Sequence, residues 1–128
     1  MMAEMSKKKV LIVDDDYEMR QSIRRLLVTE FNCQIDEVGD GNEVEDKIKE
    51  FAPDLIVLDV KMPGKDGYAT CMHIRDSLGM KHIKIVGISG VSGRVGAAFM
   101  DVLGANCYFE KPFDNEKFKK KISEMLTD

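Results

Sequence analysis

The chain is 128 residues long, 44% hydrophobic and 33% charged, a size that suits one domain with one core. Nineteen basic against 23 acidic residues leave a formal net charge of −4, which argues against sequence-independent nucleic-acid binding, because that draws on a basic excess to displace phosphate counterions. No apolar run reaches the ~18 residues that cross a bilayer, and the hydrophobic fraction excludes a disordered acidic chain.

Residues 1–9 hold lysines with no apolar stretch behind them, so they make no secretory signal. Residues 1–8 are expected to be a short extension ahead of a domain over 9–128. Residues 10–13 read as a strand that is apolar on both faces. Residues 17–29 carry Met19, Ile23, Leu26 and Leu27 at helical spacing, and Cys33–Val38 reads as a weaker strand. Residues 43–51 place Val44, Ile48 and Phe51 on one stripe before a second strongly apolar strand at 55–58. Helical spacing returns over 68–78, with Tyr68, Cys71, Ile74 and Leu78, and a core strand follows at 83–88. Residues 95–103 carry Val95, Phe99, Val102 and Leu103. Cys107–Glu110 is a last short strand, and Asn115–Leu126 carries Phe118, Ile122, Met125 and Leu126.

No repeat, linker or low-complexity segment interrupts this order. Strands that read as continuous apolar runs belong to parallel sheets covered on both faces. Right-handed crossovers then predict an open, doubly wound α/β sheet of five strands, with two helices on one face and three on the other. Ligands in such sheets bind at the carboxyl ends of strands, where the strand order reverses.

Those ends carry the chemistry. Asp14, Asp15 and Asp16 follow the first strand and Asp59 the third; Ser89 and Gly90 follow the fourth, and Lys111 and Pro112 the fifth. A parallel sheet brings them to one edge as a carboxylate cluster beside a hydroxyl and an ammonium. Crowded carboxylates repel one another and favour a bound cation. All-oxygen donors suit a hard cation, and few ligands with room for water suit Mg²⁺ better than Ca²⁺. A carboxylate beside Mg²⁺ can attack phosphorus and form an acyl phosphate, with the metal and a lysine offsetting charge on the phosphoryl oxygens.

Plainer uses stand beside these. The aspartate run can serve as the cap and first turn of the following helix, a role expected of Asp16. Lys117, Lys119, Lys120 and Lys121 read as a solvated face, with a docking surface for an acidic partner as the alternative. Cys33, Cys71 and Cys107 are widely spaced and read as reduced, buried thiols; with two histidines they form no zinc cluster.

Five stretches in order carry a resemblance: Val-Leu-Ile-Val-Asp-Asp (10–15), Leu-Asp-Val-Lys-Met-Pro-Gly-Lys-Asp-Gly (58–67), Gly-Ile-Ser-Gly (87–90), Leu-Gly-Ala-Asn-Cys-Tyr (103–108) and Glu-Lys-Pro-Phe (110–113). Together they resemble the response-regulator receiver domain, the phosphoacceptor module of two-component signalling and its phosphorelays, from Val10 to Leu126. The resemblance implies the flavodoxin-like (βα)5 fold of single-domain chemotaxis regulators. It implies that Asp59 accepts the phosphoryl group, that Asp14 and Asp15 form the acidic pair for Mg²⁺ with Asp15 the more direct ligand, and that Asp59 and the Lys61 backbone carbonyl complete the metal site. Lys111 matches the lysine that contacts the phosphoryl group, Ser89 the switch hydroxyl and Tyr108 the aromatic switch. The Lys111–Pro112 bond matches one that is cis in the family.

The same resemblance implies a sensor histidine kinase or histidine phosphotransfer protein upstream, and a protein target on the face of the fourth helical stretch, the fifth strand and the last helix. It implies a cytoplasmic protein with no direct nucleic-acid or membrane contact, and no enzyme activity beyond assisting its own phosphorylation and dephosphorylation. The three glycines of segment 90–96 predict a late-starting or mobile fourth helix, since each costs up to ~1 kcal/mol in a helix interior. The resemblance further implies a small residue after the switch hydroxyl, to admit a partner's phosphate-bearing group, a need Gly90 meets, and Lys61 and Val91 match positions that tune phosphoryl lifetime in the family. The chain stops at the close of its last helical stretch, which fits either a stand-alone regulator or part of a longer protein. The rival reading is a phosphorylation-independent protein-interaction module on this fold; such a module should lack pocket residues that this chain keeps. A flavin or nucleotide site would need a phosphate loop after the first strand, where three aspartates repel phosphate unless a cation intervenes.

Overall fold

The computed structural model of the chain describes residues 7–59, 69–70, 73–77, 82–89, 106–111 and 113–126. In chain order, β1 (Lys8–Val13) leads to α1 (Tyr17–Glu30), and β2 (Cys33–Val38) to a 3-10 turn (Gly41–Glu43) that continues into α2 (Val44–Phe51). There follow β3 (Leu55–Asp59), a π-helical turn (His73–Ser77), β4 (Lys84–Ser89), β5 (Cys107–Glu110) and α3 (Asn115–Leu126). All the strand pairs are parallel, in one sheet of order β2-β1-β3-β4-β5. The order reverses between β1 and β3, and the expected doubly wound five-stranded sheet is what the chain forms.

The alternation of β1 divides the core. Leu11 and Val13 point to one face with Val38, Val44, Ile48, Ile56, Leu58, Ile74, Ile83 and Ile85, where α2 and the π-helical turn cover the sheet. Val10 and Ile12 point to the other, with Ile23 and Leu27 of α1 and Phe118, Ile122 and Leu126 of α3. Each fully buried Leu, Ile or Phe stabilises the fold by about 1.5–3 kcal/mol, so both layers are held by the stripes their helices carry. Phe118 anchors the second layer, its ring 4.7 Å from that of Phe113 and 5.4 Å from that of Phe109.

Local chemistry sets the helix ends. The Asp16 carboxylate accepts from the Glu18 backbone N–H at 3.0 Å and starts α1, the capping role expected of it. Asp114 does the same for α3, accepting from Glu116 and Lys117. Ala52 ends α2 in the left-handed region at φ 53° and gives its N–H to the Ile48 carbonyl.

Several boundaries depart from the sequence expectation. β1 begins at Lys8, because Lys8 and Lys9 continue the ladder against Cys33 and Gln34. The helix expected from residue 43 begins at Val44, since Asp40 caps a 3-10 turn first. β4 runs from Lys84 to Ser89, one residue later than expected, and Asp59 is the last residue of β3 rather than the first after it. Within the expected helix over 68–78, residues 73–77 form the π-helical turn. The expected helix over 95–103, the glycine segment 90–96, Cys71, Lys61 and Pro112 lie outside the described residues. Cys33 and Cys107 are free thiols, and burial pushes both above the ordinary thiol range. Among the described residues, no helix is long and apolar enough to cross a membrane.

Candidate functional site

The sheet register assembles the site. Val13 pairs with Leu58, so the next residues, Asp14 and Asp59, leave neighbouring strands side by side at the reversal of strand order. Asp59 pairs with Ile88 and Ser89 with Glu110, which places the Ser89 backbone beyond Asp59 and Lys111 one residue beyond β5. The four strand ends therefore meet along one edge.

The three consecutive aspartates separate into three roles. Asp14 is fully buried; its N–H donates to the Val38 carbonyl at 3.1 Å, extending the β1–β2 ladder. Its Oδ1 accepts the Asp16 N–H at 2.9 Å, while Asp16 turns outward to cap α1. Asp15, between them, is exposed. The Lys111 ammonium lies 3.1 Å from Asp14 Oδ2 and 3.6 Å from Asp59 Oδ2. Asp59 is 5% exposed, so Lys111 bridges two buried carboxylates. Burial works against the Lys111 charge, but the carboxylates of Asp14 and Asp59 outweigh it and hold its pKa above the ordinary lysine value.

Asp14, Asp15 and Asp59 each offer a carboxylate oxygen, and these oxygens lie within 4.8 Å of one another. An all-oxygen donor set of this charge suits a hard divalent cation, and that the cluster already holds one cationic group, Lys111, shows that its field favours positive charge. Tyr108 is half-buried against the core layer that contains Val13 and Leu58; its register partner is Gly87. The lysine run divides: Lys119 pairs with Glu30 and Glu116, and Lys121 with Glu124. Lys117 and Lys120 are exposed and line a groove with Tyr108 between β5 and α3.

Sequence reasoning missed a second ring of polar contacts. Arg20 of α1 donates from Nη1 to the Asp14 backbone carbonyl at 2.6 Å and from Nε to Glu37 at 2.9 Å. Glu37 also accepts from Arg24 and Gln21. A glutamate next to the last residue of a half-apolar strand, with several arginines in the preceding helix, was the available signal.

The response regulator receiver domain model matches residues 10–123. A chemotaxis protein CheY of Halobacterium salinarum is 34% identical over 94% of this chain and 98% of its own length. A probable transcriptional regulator ycf27 of Porphyridium aerugineum is 34% identical over 95% of this chain but only 49% of its own length, so the chain spans about half of that relative. Among solved structures, a CheY-like response regulator receiver domain protein of Methanospirillum hungatei superposes with a TM-score of 0.85 at 26% identity, covering 95% of both chains. Motif order, strand order and a match over nearly the whole chain agree: this chain belongs to the response regulator receiver domain family.

Proposed function

We propose that the chain is a phosphorylation switch of two-component signalling that accepts a phosphoryl group on Asp59 from a phosphohistidine. The observation that carries the reading is Lys111 held between the buried carboxylates of Asp14 and Asp59, with Asp15 exposed at the mouth of the cluster. An Asp59 carboxylate oxygen forms the new bond to phosphorus as the donor's P–N bond breaks. The electron pair of that bond stays on the imidazole nitrogen, which takes a proton from solvent. Lys111 moves from carboxylate to phosphoryl oxygen, so its charge follows the charge being transferred. Asp14, Asp15, Asp59 and the Lys61 carbonyl are the groups that would hold Mg²⁺, which supplies further charge neutralisation at the phosphoryl oxygens.

Ser89, whose backbone ends β4 beside the site, matches the family's switch hydroxyl. Its movement, with that of Tyr108, shifts the population of two surface states that include β5 and α3. A downstream protein reads that surface, and a histidine kinase or phosphotransfer protein supplies the phosphoryl group, both in the cytoplasm. The chain assists its own phosphorylation and hydrolysis and is otherwise no enzyme.

Amide NMR of the labelled protein tests this, first with Mg²⁺ and then with beryllofluoride as a mimic of the acyl phosphate. Shifts that begin at Asp15, Asp59 and Lys111 and spread to Ser89, Tyr108 and α3 support the switch. A Mg²⁺ response without a beryllofluoride response removes the switch and leaves a metal pocket. Silence to both favours the constitutive interaction module.

A further inference from the structure

We infer that Arg20 is a positioning residue of the acidic pocket: it holds the Asp14–Asp15 peptide and through it sets how well the cluster binds a divalent cation. The inference rests on the phosphoacceptor reading for its cation. The peptide unit is planar, so a contact that fixes the Asp14 carbonyl also fixes the plane from which Asp15 departs. Asp15 is exposed and depends on that plane for its direction into the cluster. Arg20 makes the contact at 2.6 Å.

The guanidinium is itself held from several sides. Its Nε donates to Glu37 Oε1, and both side chains are 16% exposed. Glu37 is braced in turn by Arg24 Nε at 2.6 Å and by the Gln21 amide at 3.0 Å from each carboxylate oxygen. The Tyr17 ring lies 5.5 Å from the guanidinium carbon. Gly39, just past β2, supplies the space: a Cβ there would stand 3.0 Å from Arg20 Nη1 and 3.8 Å from the Asp14 carbonyl oxygen. The strut therefore runs from the end of β2, through α1, to the backbone of the pocket. The polar contacts of Arg20 are to Glu37 and to the Asp14 backbone, so they bear on a cation by placing its ligands, while the Arg20 charge acts in the opposite sense.

Charge and position make opposite predictions here. Removing Arg20 removes a positive charge near the pocket, and by charge alone the variant should bind a cation as well or better. Removing a contact that orients a ligand costs about 10-fold or more in metal affinity. The test is Mn²⁺ affinity, from the electron paramagnetic resonance of unbound Mn²⁺, for the wild-type protein and for Arg20→Ala, Arg20→Lys and Gly39→Ala. The expected result is binding weakened about 10-fold in Arg20→Ala, with part of the loss recovered in Arg20→Lys, which keeps the charge and one donor. Gly39→Ala keeps every charge and presses on Nη1, and should weaken binding several-fold. That comparison stands if Arg20→Ala fails to fold. Wild-type binding with equal or tighter binding in Arg20→Ala, or with unchanged binding in Gly39→Ala, overturns the inference and leaves the phosphoacceptor reading intact. A wild-type protein that binds no Mn²⁺ removes both.

Discussion

Replacing Lys111 with methionine should destabilise the metal-free protein and make its stability lean more on divalent cation. Lys111 lies 3.1 Å from one carboxylate and 3.6 Å from the other. At an effective dielectric near 20, unit charges at such distances attract by about 5 kcal/mol each. The gross figure is not the net one, because burying the ammonium costs several kcal/mol, and its side chain keeps only 20% of its exposure. Methionine retains most of the apolar stem, so packing changes little. What remains is two buried carboxylates with no bridging ammonium, and a net loss of about 2–4 kcal/mol follows. That is a large share of the ~5–15 kcal/mol that holds a domain of this kind.

Urea unfolding in EDTA measures the loss. Repeating it in millimolar Mg²⁺ measures the compensation, since a ligand bound only by the folded state stabilises it by RT ln(1 + [L]/Kd). Without an ammonium competing for the same oxygens, the variant binds the ion more tightly, and the gap from wild type should narrow by about 1 kcal/mol or more. A variant within about 0.5 kcal/mol of wild type in EDTA would refute the reasoning. So would a gap that Mg²⁺ leaves unchanged, which would assign the loss to packing.

Three further outcomes follow from the same geometry. Asp59→Asn removes one carboxylate from a cluster whose oxygens lie within 4.8 Å; relief of repulsion from Asp14 and Asp15 exceeds the lost Lys111 contact, so urea unfolding in EDTA should show a gain of roughly 1–2 kcal/mol. Asp16→Ala should cost about 1 kcal/mol by loss of its cap on α1 and shift Mn²⁺ affinity by less than about twofold, because Asp16 serves the helix and not the cluster. Burial raises the pKa of Glu37, but hydrogen bonds from Arg24, Arg20 and Gln21 outweigh it and hold the carboxyl below the ordinary value of 4.5. A folded-state pKa below the unfolded one gives stability that is present above the unfolded value and lost as pH falls through the folded one. The melting temperatures of wild type and Glu37→Gln should therefore differ near neutrality and converge below about pH 4.5; a constant difference down to acid pH would remove the ion-pair account.

The strands were legible in proportion to their burial. Val10–Val13 of β1 and Leu55–Leu58 of β3 are buried on both faces, so they read as unbroken apolar runs whatever their partners. β2 lies at the sheet edge with Gln34 exposed and Asp36 and Glu37 half-buried, and its signal was correspondingly weak. Where the reading slipped, backbone hydrogen bonds decided against composition. Lys8 and Lys9 belong to β1 because their peptide groups meet those of β2, although nothing in a lysine side chain asks for a strand. The start of α2 was misplaced because Asp40 accepts from the Asn42 N–H at 2.8 Å and winds a tighter turn ahead of it.

The site divides along the same physical line. Asp14, Asp59 and Lys111 could be found in sequence because each ends a strand, and a parallel sheet brings strand ends together with no knowledge of side-chain reach. Arg20 could not, because its role depends on a distance that the chain order conceals. Arg20, Arg24 and Arg25 all follow the acidic run, and only the packing of α1 against β2 selects which guanidinium meets the Asp14 carbonyl. Gly39 leaves room for that contact, since a Cβ there would stand 3.0 Å from Arg20 Nη1. The acidic pocket is thus specified twice, once by a topology that gathers its carboxylates and once by a side-chain contact that sets their backbone. The first comes with the fold and is open to any chain that adopts it. The second has to be supplied by this sequence, and it is where changes remote from the carboxylates can tune cation affinity without altering a single ligand.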